Sequence, residues 1–276
     1  MNPISNTAYY CCGVRMDDAD MPNSVCNDRY AQRLMDEHGR RVYEPFKSER
    51  MPNISNITRC RIIDDMLAGA LRANRLTTVI SIGAGFDTRS FRLDGGRWIE
   101  VDEAPIVNLK NERLPVAESP NELARIPIEF ATESLIDKLS GTGSDQPIVI
   151  VIEGVFMYLE PAAIESTVKQ VQRLFPKHTL LCDLMSKRFF ERFGAGVHAK
   201  LVAAGAHFAA RPEDPVQIFR DNGYVESACI PTFARAAELG VLWERARIPR
   251  PIAWLLGHVL VKDLHGYAVY RLDHGR

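Results

Sequence analysis

A glycine turn and an acidic residue on the next strand are the first feature of this sequence that indicates chemistry. The turn, Gly83-Ala84-Gly85, follows the apolar run 79–82, and a run of this kind ending in Gly-x-Gly is typical of a buried strand that breaks into a loop. Glycines let backbone N–H groups approach a bound ligand closely. Asp102 ends a second strand-like run 19 positions after Gly83, the separation typical of an acid that binds a ribose. The pattern indicates adenosine binding, although a Gly-x-Gly turn can also serve only to link a strand to a helix.

The residues after the turn separate two kinds of adenosine cofactor. A dinucleotide fingerprint has a third glycine three residues after the second, where this chain has Thr88 flanked by Asp87 and Arg89. An acidic side chain here disfavours a pyrophosphate, which needs hydrogen-bond donors and positive potential. It is compatible with S-adenosylmethionine, which has no phosphate and carries a sulfonium cation. The sequence therefore favours S-adenosylmethionine, and an NAD(P)-dependent oxidoreductase is the first rival.

Composition and charge limit the class of protein. With 276 residues, 46% of them hydrophobic and 25% charged, the chain suits one α/β domain with a lid. A net charge of −1 argues against a nucleic acid as the main partner, because phosphate binding requires an excess of Lys and Arg. No stretch of eighteen apolar residues occurs and the start lacks a signal-peptide pattern, so we expect no membrane span and a cytoplasmic location. The oligomeric state is not predicted.

Cysteines and histidines give no metal-binding pattern. The six cysteines are irregularly spaced without a Cys-x-x-Cys pair, and the seven histidines lack ligand spacing, so we predict no metal. The adjacent Cys11 and Cys12 allow a redox or metal role, but buried free thiols are favoured in a cytosolic protein. Only His198 and His207 are candidates for contact with a substrate.

Hydrophobic periodicity predicts a doubly wound α/β fold with a mainly parallel, seven-stranded sheet. Residues 1–55 are read as an N-terminal cap or lid and 56–276 as the cofactor-binding domain, which carries a substrate cover at about 186–212. The remaining elements alternate along the chain. The predicted helices are 56–74, one from Pro105, and 161–175; the predicted strands are 77–82, 97–102, 126–130, 148–153, 178–183 and two near 224–228 and 267–272.

Three blocks of the sequence resemble one family. They are Ile-Gly-Ala-Gly-Phe-Asp-Thr-Arg from Ile82, Trp-Ile-Glu-Val-Asp-Glu-Ala-Pro from Trp98 and Glu-Gly-Val-Phe-Met-Tyr-Leu from Glu153. Together they resemble the leucine carboxyl methyltransferase family, including the bacterial carboxyl O-methyltransferases of polyketide pathways, over about residues 7–183. The resemblance implies a class I, Rossmann-like fold that binds S-adenosylmethionine and releases S-adenosylhomocysteine.

The resemblance also implies a set of cofactor-binding residues. Asp102 would bind the ribose, although it could instead cap the following helix. Glu129, where the family usually has Asp, would contact the adenine, and Phe130 would cover the purine. Arg59 would bind the methionyl carboxylate, whereas Arg61 is expected to pair with Asp64 or Asp65. The implied set is Arg59, Gly83, Ala84, Gly85, Asp102, Glu103, Glu129, Phe130, Glu153, Gly154 and Tyr158.

The methyl-transfer site is expected near Glu153 and Tyr158, while Asp87 and Arg89 are expected to pair with each other or with neighbours. No catalytic base is identified. A carboxylate acceptor with a pKa near ~4 needs none, whereas a phenol with a pKa near ~10 would need a base or a metal. We therefore expect methyl ester formation on a small-molecule carboxylic acid in secondary metabolism. The alternatives are a hydroxyl acceptor, a protein C-terminal carboxylate and a non-catalytic protein that binds the cofactor.

Overall fold

A computed structural model describes residues 3–143, 145–209, 212–247 and 264–275. The helices are α1 Pro3–Ala19, α2 Ala31–Leu34, α3 Glu37–Tyr43, α4 Arg50–Ala73, α5 Arg89–Arg92, α6 Ala104–Arg113, α7 Leu135–Leu139, α8 Pro161–Leu174, α9 Lys187–Phe189, α10 Ala195–Ala203, α11 Gln217–Asp221, α12 Thr232–Glu238 and α13 Val241–Ala246. The strands are β1 Thr78–Ile82, β2 Arg97–Asp102, β3 Glu122–Pro127, β4 Ile148–Ile152, β5 His178–Met185, β6 Val225–Pro231 and β7 Tyr267–His274. Short 3₁₀ turns lie at Glu44–Phe46, Val116–Glu118 and Phe156–Tyr158, and Phe190–Gly194 is a π-helix.

The seven strands form one sheet in the order β3-β2-β1-β4-β5-β7-β6. Strands β1 to β5 are parallel, and β7 lies antiparallel between β5 and β6. The central strands β1 and β4 are buried along their whole length, as expected for apolar runs covered by helices on both faces. The predicted seven-stranded, mainly parallel sheet is confirmed.

The third strand is the one that the sequence misplaced. It spans Glu122–Pro127 and not the predicted 126–130. Because β3 lies at the edge of the sheet, it needs no continuous apolar run, and Glu122 and Ala124 are exposed. An edge strand also tolerates Pro127, which cannot donate a hydrogen bond to the sheet. Because the edge strand is partly polar, a search for apolar runs did not place it correctly.

Helices cover both faces of the sheet, which makes the fold doubly wound. The predicted stripe of α8, Ile164, Val168 and Val171, packs in the core that contains Ile80 of β1. The residues Ile63 and Leu67 of α4 pack in the core on the other face. No helix in the described ranges is both long and apolar enough to cross a membrane.

Helices α1 and α3 pack against each other through close glycine–tyrosine contacts. A Cβ atom on Gly13 of α1 would lie 2.3 Å from Cγ of Tyr43 in α3, and one on Gly39 of α3 would lie 2.3 Å from Cδ1 of Tyr9 in α1. Only glycine at these two positions leaves room for the tyrosine ring of the opposite helix. Helix α4 begins at Arg50, six residues before the predicted start, so the predicted boundary between residues 55 and 56 falls inside a helix.

His178, the first residue of β5, is buried with both ring nitrogens engaged. Nδ1 lies 2.6 Å from the carbonyl oxygen of Phe175 and must donate, while Nε2 lies 2.8 Å from the hydroxyl of Tyr224 and accepts. Burial lowers the pKa of this imidazole to about 4. The folded protein therefore holds His178 neutral.

We expect this histidine to make stability depend on pH. In the unfolded chain its pKa is near ~6.5, so between pH 6.5 and 4 the unfolded chain binds a proton that the folded protein does not. The free energy of unfolding should fall by up to about 3 kcal/mol as the pH drops through this window. Urea unfolding of His178→Gln should lack that slope, whereas the exposed control His38→Gln should keep it. Parallel profiles for all three proteins would contradict the assignment.

Candidate functional site

The glycine turn after β1 is held by the acid that ends β2. Gly83 and Gly85 have φ values of +68° and +49°, a conformation that side chains rarely adopt. Oδ2 of Asp102 accepts a hydrogen bond from the Gly85 N–H at 2.6 Å, and Oδ1 accepts one from the Glu103 N–H at 2.7 Å. Helix α6 begins at Ala104 with Glu103 as its capping residue, so the alternative of Asp102 as the helix cap is wrong. Burial raises the pKa of the Asp102 carboxyl above its ordinary value.

A cavity of about 370 Å³ lies above this turn, at the carboxyl ends of the parallel strands. This edge of an open α/β sheet is where such folds bind ligands. The cavity is lined by ten of the eleven predicted cofactor-binding residues: Arg59, Gly83, Ala84, Gly85, Asp102, Glu103, Phe130, Glu153, Gly154 and Tyr158. The structure thus brings ten of the predicted residues together at one cavity, and their binding roles stay predictions.

Glu129 is the predicted residue that the structure does not bring to the cavity. Its side chain is exposed, because β3 ends at Pro127 and the chain has already turned outward. Glu133, four residues on, lines the cavity instead and accepts a hydrogen bond from the Glu129 N–H at 2.8 Å. Phe130 lies between them with a ring that is 43% exposed and available to cover a flat ligand.

Arg59 projects from α4 into the wall of the cavity. Its Nε donates to Glu153 at 2.9 Å, and Nη1 donates to Asp183 at 3.1 Å and to the Tyr267 hydroxyl at 2.7 Å. Among the described residues, the remaining nitrogen, Nη2, has the sulfur of Cys11 at 3.7 Å as its one hydrogen-bond partner. Arg59 therefore has donor capacity left for a ligand.

Two further arginines, Arg61 and Arg89, form the ion pairs that the sequence predicted for them. Arg61 pairs with Asp65 at 2.8 Å on the half-exposed face of α4. Arg89 pairs with Asp87 at 2.9 Å, as predicted, and also with Asp64 and Glu153. Its Nη2 donates to the Cys60 carbonyl at 3.2 Å, so every nitrogen of Arg89 is engaged.

These pairs belong to one buried network of four guanidinium groups and five carboxylates. Its contacts are Arg15–Asp28, Asp28–Arg92, Arg92–Asp64, Asp64–Arg89, Arg89–Asp87, Arg89–Glu153, Glu153–Arg59 and Arg59–Asp183. Burial alone would raise the pKa of Glu153, but Arg89 and Arg59 lower it below its ordinary value. Arg89 likewise overcomes burial and lowers the pKa of Asp87. The guanidinium groups therefore favour the ionised form of these two carboxyls, and the network holds five carboxyl groups for four guanidinium groups.

The N-terminal helix α1 closes the cavity from the side opposite the sheet. Ser5 hydrogen-bonds to Glu103 through its hydroxyl, and Ala8 packs so that a Cβ on Gly85 would lie 3.4 Å from its own Cβ. Thr7 and Cys11 follow on the same helix and also line the cavity. The sequence predicted a wall or lid from this segment but gave no signal for the individual residues.

A second cavity of about 100 Å³ adjoins the first. The residues common to both walls are Thr7, Cys11, Arg59, Gly154 and Tyr158. The apolar remainder of the second wall is Met51, Pro52, Met157, Met185, Phe189, Phe193, Val197, Leu201, Phe208 and Phe233. The predicted cover therefore supplies much of this wall, through the π-helix and α10; residues 210 and 211 of that cover lie outside the described part of the chain.

The candidate histidines line neither of the two cavities, whereas one of the two adjacent cysteines lies where the cavities meet. His198 accepts a hydrogen bond from the Phe208 N–H at 3.1 Å and packs behind the wall, and neither His198 nor His207 lines a cavity. Cys12 is buried, and burial raises the pKa of its thiol to about 12, whereas Cys11 lies at the junction of the cavities. Within the described residues, no group of His, Cys, Asp or Glu side chains is arranged to hold a metal.

Comparisons with known proteins agree with this geometry. A model of the leucine carboxyl methyltransferase family matches residues 12–172. A protein of Frankia alni, named as a candidate S-adenosyl-L-methionine-dependent methyltransferase, is 32% identical over 171 residues, 59% of each chain. The tetracenomycin polyketide synthesis O-methyltransferase TcmP of Streptomyces glaucescens is 25% identical over 186 residues, 65% of each chain. The match spans about three fifths of the length of each of three curated relatives, the Frankia alni protein and two proteins of Streptomyces.

A solved structure supports the assignment of the fold. The crystal structure of a DUF574 family protein from Streptomyces avermitilis has a TM-score of 0.60 at 13% identity and covers 90% of this chain and 95% of that chain. At this identity the likeness concerns the fold alone. With the observed sheet order, it confirms the predicted class I, Rossmann-like architecture.

The buried network generates a prediction about stability. Replacing Arg89 by Met leaves Asp64, Asp87 and Glu153 short of a counter-charge in a buried site, which should lower the free energy of unfolding by about 3–5 kcal/mol. The matched control Arg61→Met breaks a half-exposed pair and should cost less than about 1 kcal/mol. Urea unfolding of both variants measures the difference. Similar losses would show that burial of the network contributes nothing.

Proposed function

Because the chain belongs to the leucine carboxyl methyltransferase family, we propose that it is an S-adenosylmethionine-dependent O-methyltransferase that esterifies a small carboxylic acid. The observation that carries the proposal is the meeting of two unlike cavities. One has a charged, glycine-rich wall and the other an apolar, aromatic wall, and five residues belong to both. A polar methyl donor and an apolar acceptor would meet at that junction.

The larger cavity fits the chemistry of the cofactor. Asp102 presents a buried carboxylate for the ribose hydroxyls, and Phe130 presents an exposed ring for the purine. At the methionyl end, Nη2 of Arg59 would bind the carboxylate and Glu153 the ammonium group. When bound, S-adenosylmethionine supplies a methyl group on a sulfonium for displacement by an acceptor oxygen.

Charge also favours this cofactor over a dinucleotide. The network behind the cavity has one carboxylate in excess, and Asp102, Glu103 and Glu133 add further acids to the wall. An acidic wall attracts a ligand with a net positive charge and repels a pyrophosphate. The same reasoning applied to the sequence rested on Asp87 alone, and the structure extends it to the whole cavity.

The protonation state of the tyrosine hydroxyls that line the two cavities favours a carboxylate acceptor over a hydroxyl acceptor. Burial raises the pKa of Tyr158, and it raises the pKa of Tyr10 and Tyr267 in the second cavity. These hydroxyls stay protonated at neutral pH, so they can donate hydrogen bonds but cannot remove a proton. No histidine of the described chain lines either cavity. An acceptor that is already ionised needs only alignment and exclusion of water, so it does not depend on a base at this junction.

The cofactor assignment predicts a ligand preference. In calorimetry, S-adenosylmethionine and S-adenosylhomocysteine should bind with much higher affinity than NAD. The substitution Asp102→Ala should weaken the binding of both by roughly 1.5–3 kcal/mol, because it removes a charged hydrogen-bond acceptor. The matched control Asp94→Ala removes an acid of the exposed loop before β2 and should leave binding unchanged. Tighter binding of NAD, or an unaffected Asp102→Ala protein, would contradict the assignment.

The acceptor assignment predicts the chemistry of the product. With tritiated methyl donor and a panel of small apolar carboxylic acids and matched phenols, the label should enter the acids and be released as methanol by mild alkali. The rate should stay flat between pH 6 and 8, because a carboxylate of pKa ~4 is ionised throughout. Asp102→Ala should reduce the signal, as a control that it comes from this site. An alkali-stable product, or a rate that rises with the ionisation of a phenol, would contradict the proposal.

A further inference from the structure

Asp183, on β5, is the point where three parts of the site are tied together. Its Oδ1 accepts a hydrogen bond from the Gly154 N–H at 2.6 Å. Its Oδ2 accepts from Nη1 of Arg59 at 3.1 Å and from the Tyr267 hydroxyl at 2.6 Å. The carboxylate is buried, so none of these bonds competes with bulk water.

Tyr267, the first residue of β7, completes the arrangement from the strand next to β5. It pairs in register with Met185 of β5, and its ring lines the second cavity. Its hydroxyl donates to Asp183 and accepts from Nη1 of Arg59 at 2.7 Å. Because burial raises the pKa of this hydroxyl, it remains protonated and the direction of both bonds is fixed.

These contacts determine where the free nitrogen of Arg59 lies. A guanidinium group is planar and rigid, so fixing Nε on Glu153 and Nη1 on Asp183 and Tyr267 also fixes Nη2. Nη2 lies 3.3 Å from where a Cβ of Gly154 would be, at the junction of the two cavities. Glycine at 154 leaves the room that this nitrogen occupies.

We infer that Asp183 and Tyr267 are positioning residues that aim Arg59 at the methionyl carboxylate of the methyl donor. The inference rests on the proposed function. Both residues lie beyond residues 12–172, where the family model matches, and neither belongs to the three blocks that carry the family resemblance. They act through Arg59, and only a ligand that Arg59 holds should respond to their removal.

The test compares two ligands that differ at the methionyl end. S-adenosylhomocysteine carries the amino-acid carboxylate, whereas 5′-methylthioadenosine has the same nucleoside without it. Tyr267→Phe keeps the ring and removes the hydroxyl. We expect it to weaken S-adenosylhomocysteine about tenfold, or ~1.4 kcal/mol, and to change 5′-methylthioadenosine, measured by competition, less than twofold.

Tyr270→Phe is the matched control, because it removes a hydroxyl from the same strand but packs against the core on the other face of the sheet. It should leave both affinities unchanged. Asp183→Asn provides a second variant that keeps the shape of the side chain and should give the same selective loss as Tyr267→Phe. Thermal unfolding of each variant confirms that the protein compared is folded.

Three outcomes overturn the inference. Equal losses for both ligands would indicate general damage, and no loss in Tyr267→Phe would show that Arg59 needs no such support. A wild-type protein that binds neither ligand would overturn the proposed function and the inference together. The first two outcomes, obtained with a wild-type protein that binds both ligands, would leave the proposed function standing and remove only the inference.

Discussion

The buried alternation of arginines and carboxylates is the constraint on which the site depends. Each of these charges would be too costly to bury alone, so each can be ionised only where an opposite charge meets it. Arg15 belongs to α1, Arg59 to α4 and Arg89 to α5, while Glu153 and Asp183 come from the ends of two central strands. The requirement for pairing therefore holds three helices and the sheet in one arrangement, and the cavity lies where they meet.

The same network also sets the charge of the cavity that it surrounds. Arginines lower the pKa values of Glu153 and Asp87, and the network holds one carboxyl group more than it has guanidinium groups. A cationic ligand would supply the opposite charge, so the proposed ligand preference and the packing of these elements would have a common electrostatic origin. The second cavity has no comparable charge among its described residues except Arg59, whose positive charge is shared with Glu153 and Asp183.

The sequence predicted the parts of the site that depend on residues close together in the chain. The glycine turn and Asp102 lie within 20 positions, and the parallel strand–helix–strand unit formed by β1, α5 and β2 brings them together. The contacts of Arg59 span 94, 124 and 208 positions, to Glu153, Asp183 and Tyr267, and no local pattern encodes them. The predicted carboxylate-binding role of Arg59 was stated without the residues that hold it in place.

The displacement of the third strand has a similar cause and a consequence for the site. A search for apolar runs favours central strands, and it placed β3 four residues late because the true edge strand is half polar. That shift put Glu129 at the end of a strand, facing the ligand, when it belongs to an exposed turn. Glu133 reaches the cavity from the following segment, and its position depends on a turn that periodicity does not predict.

The two cavities differ in how much sequence change they can tolerate. Loss of one partner in the charged network leaves a buried ion without compensation, so the larger cavity permits few substitutions. The apolar wall of the second cavity consists largely of Met, Phe, Val and Leu side chains, and apolar walls accept changes of shape as long as the volume is conserved. Much of that wall, including Phe193 of the π-helix and Phe208, follows the segment matched by the family model. Under the proposed function, a charged donor site that tolerates little change would lie beside an apolar acceptor wall that can change its shape.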